Sequence, residues 1–344
     1  MADEPSRIIL FIGDGTGLAY WTAAGLAAGE PLAVEGFPVV GLIDTQASDA
    51  RVTDSAAGAT AYSAGVRTYN GAIGVDADTQ AVETVLEIAE RRGLATGLVS
   101  TSSVTHATPA SFAAHVPSRG MEEAIAAQMA GSGVDVLIGG GRDYFAADTR
   151  SDGRDFLTPL TEEAAHVSSA SGLRALDPDT VDALVAFLAD TALAPATGRE
   201  IRLADMTRAA LGVLEHDDDG FFLMVEGSQI DWHGHDNAPL PDVVAEVLDL
   251  DGAIAEAIAF QRRHPETLIV VTADHETGGL SLIYGETPAE VAVAYTTRGH
   301  TGTWIPLFAR GPGAEAFGGV HENYEIGLLL LELVRGDRAA TGRP

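Results

Sequence analysis

The sequence contains no cysteine and no lysine, and no apolar run approaches the roughly 18 residues of a membrane-spanning helix. Without cysteine, disulfide bonds and thiolate metal sites are both excluded. All 20 basic residues are arginine, and they face 50 acidic residues, which leaves a net charge of −30. Because nucleic acid is itself an anion, this charge argues against a nucleic-acid partner. It favours a protein kept soluble in strong salt, where its self-repulsion is screened.

The length of 344 residues would allow two domains. However, no proline- or serine-rich linker and no internal repeat divides the chain. We therefore predict a single domain over residues 1–344, with a less regular surface excursion at 142–200. The start of the chain, Met1-Ala2-Asp3-Glu4-Pro5, has no signal-peptide core, as in a trimmed mature protein or a cytoplasmic one.

Short apolar runs alternate with segments of helical periodicity, which predicts an α/β protein. Such alternation is typical of a three-layer α/β/α sandwich around a mostly parallel sheet. We predict strands at 7–12, 94–99, 134–138, 221–225, 267–271 and 304–308, and helices at 79–92, 121–129, 181–188, 204–214, 243–264 and 322–334. Leu328–Leu330 in the last helix are expected to be core residues.

One stretch, Val52-Thr53-Asp54-Ser55-Ala56-Ala57, predicts a helix start. Thr53 and Asp54 can both cap a helix, and small residues follow Ser55. Ser55 should then lie where backbone amides and the helix dipole favour an anion. A hydroxyl at such a place is more easily activated as a nucleophile, particularly beside a metal. An ordinary capping serine is the alternative interpretation.

Polar residues follow several of the predicted strands, where open α/β sheets bind ligands. Asp14 lies in Gly13-Asp14-Gly15-Thr16-Gly17, which suits a hard-metal carboxylate; a dinucleotide-binding loop or a plain turn remain alternatives. After the strand at 94–99 comes His106, either a metal ligand or a hydrogen-bonded loop histidine. Arg119 is either a surface charge or a bidentate phosphate ligand.

Acidic residues and histidines are concentrated in two further places. Residues 226–236 contain Glu226, Asp231, His233, His235 and Asp236 directly after a buried strand. Asp274-His275 follows the strand at 267–271, and His300 precedes the strand at 304–308. Asp, Glu and His are the ligands that zinc and magnesium take in proteins, so these segments predict metal binding.

Together these segments resemble the alkaline phosphatase family over nearly the whole chain. The matching segments are Gly-Asp-Gly at 13–15, Val-Thr-Asp-Ser-Ala-Ala at 52–57, Ala-Thr-Pro at 107–109, Val-Glu-Gly-Ser-Gln-Ile-Asp at 225–231, Thr-Ala-Asp-His at 272–275 and Gly-His-Thr-Gly at 299–302. Their occurrence in this order is far more specific than any one of them.

The resemblance implies a phosphomonoesterase with two zinc ions and one magnesium ion. The implied ligands are Asp231, His235 and His300 for the first zinc, Asp14, Asp274 and His275 for the second, and Asp14, Thr108 and Glu226 for the magnesium. It also implies that Ser55 is the nucleophile and forms a phosphoserine, and that Arg119, oriented by Asp54, binds the phosphate. It further implies small phosphate monoesters as substrates, an alkaline pH optimum, a homodimer and a periplasmic or secreted location.

Two residues depart from the pattern of many members. His106 stands where many bacterial members have aspartate, and a neutral ligand there should weaken magnesium binding or shift the site towards zinc. Trp232 stands where some members have a charged or polar residue near the phosphate, so phosphate should be held less tightly.

Three rival functions differ in testable features. A sulfatase of the same superfamily needs a Cys/Ser-x-Pro-x-Arg setting, which Ser55 lacks. A phosphodiesterase usually has threonine as its nucleophile and lacks the Asp-Ser-Ala run. A non-catalytic metal- or phosphate-binding protein would have no need for both Ser55 and Arg119.

Overall fold

The computed structural model describes residues 5–285 and 291–336. Its strands are Arg7–Gly13 (β1), Val39–Asp44 (β2), Ala95–Ser103 (β3), Val136–Gly140 (β4), Ala165–Val167 (β5), Leu184–Ala189 (β6), Phe221–Gly227 (β7), Thr267–Thr272 (β8), Glu276–Thr277 (β9), Ser281–Tyr284 (β10), Val291–Ala294 (β11), His300–Thr301 (β12), Ile305–Arg310 (β13) and Gly319–Glu322 (β14). Its helices are Leu18–Ala28 (α1), Ser55–Ala64 (α2), Val85–Arg91 (α3), Ala107–Ala113 (α4), Glu122–Met129 (α5), Leu157–Glu162 (α6), Ala170–Ala175 (α7), Leu203–Leu214 (α8), Gln229–Asp236 (α9), Leu240–Gln261 (α10) and Asn323–Arg335 (α11). The first four residues, part of the stretch without a signal-peptide core, lie outside the described residues.

Ten strands form one central sheet in the order β14-β2-β13-β8-β1-β7-β3-β4-β6-β5. All neighbouring pairs are parallel except those of β13, which runs antiparallel to β2 and β8. The central strands are continuous apolar runs, as in β1 and β8, because helices cover both faces of a parallel sheet. This confirms the predicted α/β class with a mostly parallel sheet.

Two apolar cores lie against the sheet. One collects side chains from α2, α3, α4, α5 and α11. The other collects side chains from α1, α8 and α10. Alternate residues of β1 divide between the two, with Ile8 and Leu10 in the first and Ile9 and Phe11 in the second. Among the described residues no helix combines the length and apolar character that a membrane span requires.

Helix α2 is buried along its whole length, which explains why it consists largely of small residues. A Cβ atom added at Gly58 would lie only 3.1 Å from the Cβ atom of Asp274. On another face, a Cβ atom added at Gly327 of α11 would lie 2.1 Å from the carbonyl oxygen of Ala61. The small residues therefore let α2 approach the loop after β8 and fix the position of Ser55.

Three details of the predicted elements are wrong. Helix α3 begins at Val85, six residues later than predicted, because Thr84 and Glu87 form a capping box at that point. The segment 181–188 contains strand β6 rather than a helix, since a short apolar run does not distinguish a buried strand from a buried helix. Leu328 is 44% exposed rather than in the core.

The region 142–200 also differs from the expected surface excursion. Its strands β5 and β6 extend the central sheet beyond β4, with β6 parallel to both neighbours. Much of the rest of this region does lie at the surface. The prediction of a single domain over the whole chain stays a prediction.

Candidate active site

Most of the candidate site residues lie at or just after the carboxyl ends of three parallel strands, β1, β7 and β8. Asp14 follows β1, Glu226 lies at the end of β7, and Asp274 and His275 follow β8. Helix α9 begins just after β7 and carries Asp231 and His235 one turn apart. Since β1 lies between β7 and β8, these side chains meet at one edge of the sheet.

Ser55 is the first residue of α2 and is 2% exposed. Asp54 is the N-cap residue, and its Oδ1 accepts a hydrogen bond from the Ala57 amide at 3.0 Å. The hydroxyl of Ser55 is therefore not needed for capping, and its Oγ lies 3.3 Å from Nε2 of His275.

Asp14, Asp274 and His275 form one fully buried group of possible metal ligands. Nε2 of His275 lies 3.5 Å from Oδ1 of Asp14 and 3.4 Å from Oδ2 of Asp274. The structure thus brings together the three side chains that the resemblance assigns to one zinc ion, and it places them beside Ser55.

A second group surrounds Asp231. Nε2 of His235 lies 3.3 Å from Oδ2 of Asp231, and Nε2 of His300 lies 3.5 Å from Oδ1. The two histidine Nε2 atoms are 3.1 Å apart. His275 also lies close to this group: its ligand atom is within 4.8 Å of ligand atoms of Asp231 and His300, and its ring stacks on that of His300 with centroids 3.5 Å apart. The two groups are therefore contiguous.

A third group contains Asp14, His106 and Glu226. His106 is the N-cap residue of α4, and the buried Thr108 follows it in the first turn. Oε2 of Glu226 accepts hydrogen bonds from Ser228 at 2.7 Å and Ser102 at 3.3 Å, whereas Oε1 has no partner among the described residues.

Unpaired polar atoms converge on these groups. The buried atoms without a hydrogen-bond partner in the described part of the chain include Oδ1 and Oδ2 of Asp14, Oγ1 of Thr108, Oε1 of Glu226, Oδ2 of Asp274 and Nδ1 of His106. Buried oxygen atoms normally have a partner, because desolvation without one is costly. Such a set fits cations, with oxygen and imidazole ligands suited to zinc and magnesium.

In the protein without cations, burial disfavours the ionised forms of Asp14 and Glu226. Burial, reinforced by the charge of Asp274, raises the pKa of Asp14 well above its ordinary value. Burial also raises the pKa of Glu226 to about 7. Burial and the charge of Arg119 lower the pKa of His106 to about 4, which keeps that ring neutral. Bound cations would supply the positive charge that ionised carboxylates need here.

Arg119 lies beside the third group. Its Nη1 donates to Oδ2 of Asp54 at 3.0 Å, and its Nη2 lies 3.2 Å from Nε2 of His106. The ring of Trp232 meets that of His106 edge to face, with centroids 6.0 Å apart. Because Asp54 adjoins Ser55 in the chain, the guanidinium is fixed close to the start of α2.

Two residues of the site escaped the sequence analysis. Ser228 holds one oxygen of Glu226, and the hydroxyl of Thr277 lies between Asp231 and His275. Serine and threonine are common in loops, so their type alone gives no signal. Their spacing, two residues after Glu226 and His275 respectively, gives no signal either, because it does not show which side chains they contact.

Comparisons with known proteins point to one family. The family model described as alkaline phosphatase matches residues 6–291. "Alkaline phosphatase 3" of Bacillus subtilis is 35% identical over 94% of this chain and 88% of its own length. The "Streptomycin-6-phosphate phosphatase" of Streptomyces griseus is 35% identical over 94% of this chain and 89% of its own.

A solved structure shares the fold closely. The alkaline phosphatase from the Antarctic bacterium TAB5 is 41% identical, with a TM-score of 0.91 over 96% of this chain and 98% of its own. A variant of that protein with a histidine replaced by aspartate has magnesium bound in its M3 site. Sequence, fold and family model agree: this chain belongs to the alkaline phosphatase family, a family of phosphomonoesterases.

Proposed function

We propose that the protein hydrolyses phosphate monoesters through a phosphoserine on Ser55, with two zinc ions and one magnesium ion as cofactors and an alkaline pH optimum. The observation that supports this most is the position of Ser55. Ser55 is the buried first residue of α2, and its hydroxyl faces Nε2 of His275, which in turn lies 3.5 Å from Oδ1 of Asp14 and 3.4 Å from Oδ2 of Asp274. Both carboxylate oxygens have no hydrogen-bond partner among the described residues.

The ligand groups fit these cofactors. Asp14, Asp274 and His275 would hold one zinc ion, and Asp231, His235 and His300 would hold the other. Asp14, Thr108 and Glu226 would hold the magnesium ion, with His106 close by. When bound, the zinc ions would act as Lewis acids that lower the pKa of the Ser55 hydroxyl and polarise the phosphoryl group.

The residues of the chain then have distinct tasks. Oγ of Ser55 attacks phosphorus, the bond to the ester oxygen breaks, and the leaving group takes up a proton. Water then attacks the phosphoserine, which releases inorganic phosphate and restores the hydroxyl. Arg119, held by Asp54, donates hydrogen bonds to phosphoryl oxygens and neutralises their charge.

The nucleophile is tested by Ser55→Ala, with Ser63→Ala on the same helix as the matched control. Ser55→Ala should lower kcat by several orders of magnitude and abolish phosphoenzyme, because the attacking oxygen is gone. The Ser63 hydroxyl donates to the carbonyl oxygen of Ser111, so Ser63→Ala should leave formation of the phosphoenzyme intact. Intact-mass spectrometry that detects phosphoenzyme in Ser55→Ala would contradict the assignment.

The cofactors are tested by exhaustive chelation with elemental analysis. Chelation should inactivate the enzyme, and zinc with magnesium should restore it. Acid should act in the same direction, because His235, His275 and His300 must be neutral to bind metal. The proposed alkaline optimum rests on the family alone. Full activity in verified metal-free protein would contradict the metal assignment.

Substrate class is tested by p-nitrophenyl phosphate against its bis-ester. A monoesterase should cleave the first rapidly and the second poorly, whereas a binding protein would cleave neither.

The homodimer and the periplasmic or secreted location are proposals that rest on the family alone. Sedimentation of the native protein would test the first, and fractionation of the producing cells would test the second.

A further inference from the structure

Thr277, the last residue of β9, contacts every segment that carries a proposed zinc ligand. It is fully buried. Its amide donates to the carbonyl oxygen of Gly15, next to Asp14, at 3.1 Å. Its carbonyl oxygen accepts a hydrogen bond from the Tyr20 hydroxyl at 2.6 Å. Across the β9–β12 pair, Thr277 lies opposite His300. The backbone of Thr277 is therefore fixed from several sides.

Its hydroxyl lies between the two zinc groups. Oγ1 of Thr277 donates to Oδ1 of Asp231 and lies 3.2 Å from Nδ1 of His275. An ionised carboxylate can only accept hydrogen bonds, and a hydroxyl has a single proton to donate. Because that proton points to Asp231, the same oxygen must accept from His275. Nδ1 of His275 therefore carries a hydrogen.

This arrangement selects the metal-binding nitrogen of His275. In the neutral ring with a hydrogen on Nδ1, the lone pair is on Nε2. Nε2 is the atom that faces Asp14, Asp274 and Ser55. The alternative tautomer would place a hydrogen on Nε2, where the ligand group needs a lone pair. Contacts to the second nitrogen of a metal-binding histidine commonly set its tautomer and orientation in this way.

The surroundings leave the hydroxyl little freedom. A Cβ atom added at Gly15 would lie 2.7 Å from Oγ1 of Thr277. A Cβ atom added at Gly234 would lie 2.9 Å from its Cγ2. Gly15 also has a φ of 71°, which favours glycine. Both faces of the side chain are thus confined by backbone that approaches closely.

We propose that Thr277 is a positioning residue that couples the two zinc groups, because one hydroxyl orients Asp231 in one group and fixes the tautomer of His275 in the other. This inference rests on the proposed function for the presence of zinc. Thr277 itself touches no reacting atom. Losing its hydroxyl should therefore weaken both zinc sites together, whereas losing an ordinary ligand contact would weaken chiefly one.

The test compares Thr277→Val, which keeps the shape and removes the hydroxyl, with Thr277→Ser, which keeps the hydroxyl and removes the methyl group. Zinc affinity is measured by competition with a chromophoric chelator, independently of activity. In Thr277→Val both zinc dissociation constants should rise about 10- to 100-fold, the usual effect of losing such a partner. In Thr277→Ser both should stay within about threefold of the original. Unchanged constants in Thr277→Val, or equal losses in both variants, would overturn the proposal.

A second measurement separates this inference from the proposed function. If the unaltered protein binds no zinc, the cofactor assignment fails, whereas the tautomer of His275 can still be read from ¹⁵N chemical shifts of its ring. A hydrogen on Nδ1 supports the role of Thr277, in metal-free or zinc-loaded protein. A neutral ring with its hydrogen on Nε2, or zinc bound through Nδ1, would overturn it. The same spectrum decides the question if Thr277→Val fails to fold.

Discussion

The contact between Asp54 and Arg119 should set how tightly phosphate is held. Oδ1 of Asp54 accepts from the amides of Ala57 and Gly71, both at 3.0 Å, and Oδ2 accepts from Arg119 at 3.0 Å. Although burial opposes ionisation, these amides and the guanidinium hold the pKa of Asp54 below its ordinary value. Asp54→Asn can keep the acceptor at Oδ1 while it turns an amide group towards Arg119.

The magnitude follows from the loss of one charge-assisted hydrogen bond. Such bonds contribute about 1.5–3 kcal/mol when well buried. The side chains of Arg119 and Asp54 are 30% and 20% exposed, so the lower part of that range applies. A loss of about 1.4 kcal/mol corresponds to a tenfold change in an equilibrium constant. We therefore expect the inhibition constant of inorganic phosphate to rise about tenfold in Asp54→Asn, because Arg119 is no longer held in place.

The inhibition constant of inorganic phosphate is measured directly as product inhibition of p-nitrophenyl phosphate hydrolysis. If release of phosphate limits turnover, kcat should stay constant or rise, since the same loosened contact speeds release. Asp54→Ala is the matched comparison: it should weaken phosphate similarly, but it should also cost about 1 kcal/mol of unfolding free energy because the cap of α2 is lost. A phosphate inhibition constant that Asp54→Asn leaves unchanged would refute the reasoning.

Three further predictions concern metal, salt and pH. His106→Asp should tighten magnesium and reduce the dependence of activity on added magnesium, because a carboxylate replaces a neutral ligand; coinciding magnesium titrations of the two proteins would contradict this. Three divalent cations would offset only a small part of the charge of −30, so repulsion between surface charges should destabilise the folded protein at low salt. The Debye length falls from about 10 Å at 0.1 M to about 3 Å at 1 M, which screens this repulsion. The melting temperature at saturating metal should therefore rise from about 0.1 M to about 2 M NaCl. A flat or falling melting temperature would remove the case for salt adaptation. Burial, with the charge of Asp135, raises the pKa of Glu90 to about 7 in the folded protein, so stability should fall as pH rises from about 4.5 to about 7. Since Glu90 is only partly buried, the gain in unfolding free energy of Glu90→Gln over the original protein should grow by only about 1 kcal/mol between pH 5 and pH 8 in urea melts. A pH-independent difference would show that Glu90 is not the cause.

Much of the fold could be predicted because its central strands are apolar along their whole length. β1 and β8 are buried on both faces, and the polar residues after them stand out sharply. The same property misled the prediction at 181–188, because β6 is too short and too apolar for periodicity to separate strand from helix. The pairing of β6 with β4 joins segments that are far apart in the sequence, so it could not be predicted from the residues of β6 alone.

For the candidate site too, some residues could be predicted from the sequence and others could not. Asp274, His275 and His300 could be identified because each lies in a segment that resembles the family, Thr-Ala-Asp-His at 272–275 or Gly-His-Thr-Gly at 299–302. Thr277 could not, because its role depends on the antiparallel pair of β9 and β12 and on the neighbouring backbone of Gly15. Spacing along the chain also could not show that His275 lies within reach of both groups of proposed zinc ligands.

The complete burial of α2 has a consequence for motion. Its ten residues from Ser55 to Ala64 are all buried, and α11, α4 and the loop after β8 approach it closely. Amides in such a helix have no low-energy local opening available, so their hydrogens should exchange with solvent only when the whole domain unfolds. Ser55 would then keep its place until global unfolding, and thermal inactivation of metal-saturated enzyme should coincide with loss of the fold rather than precede it.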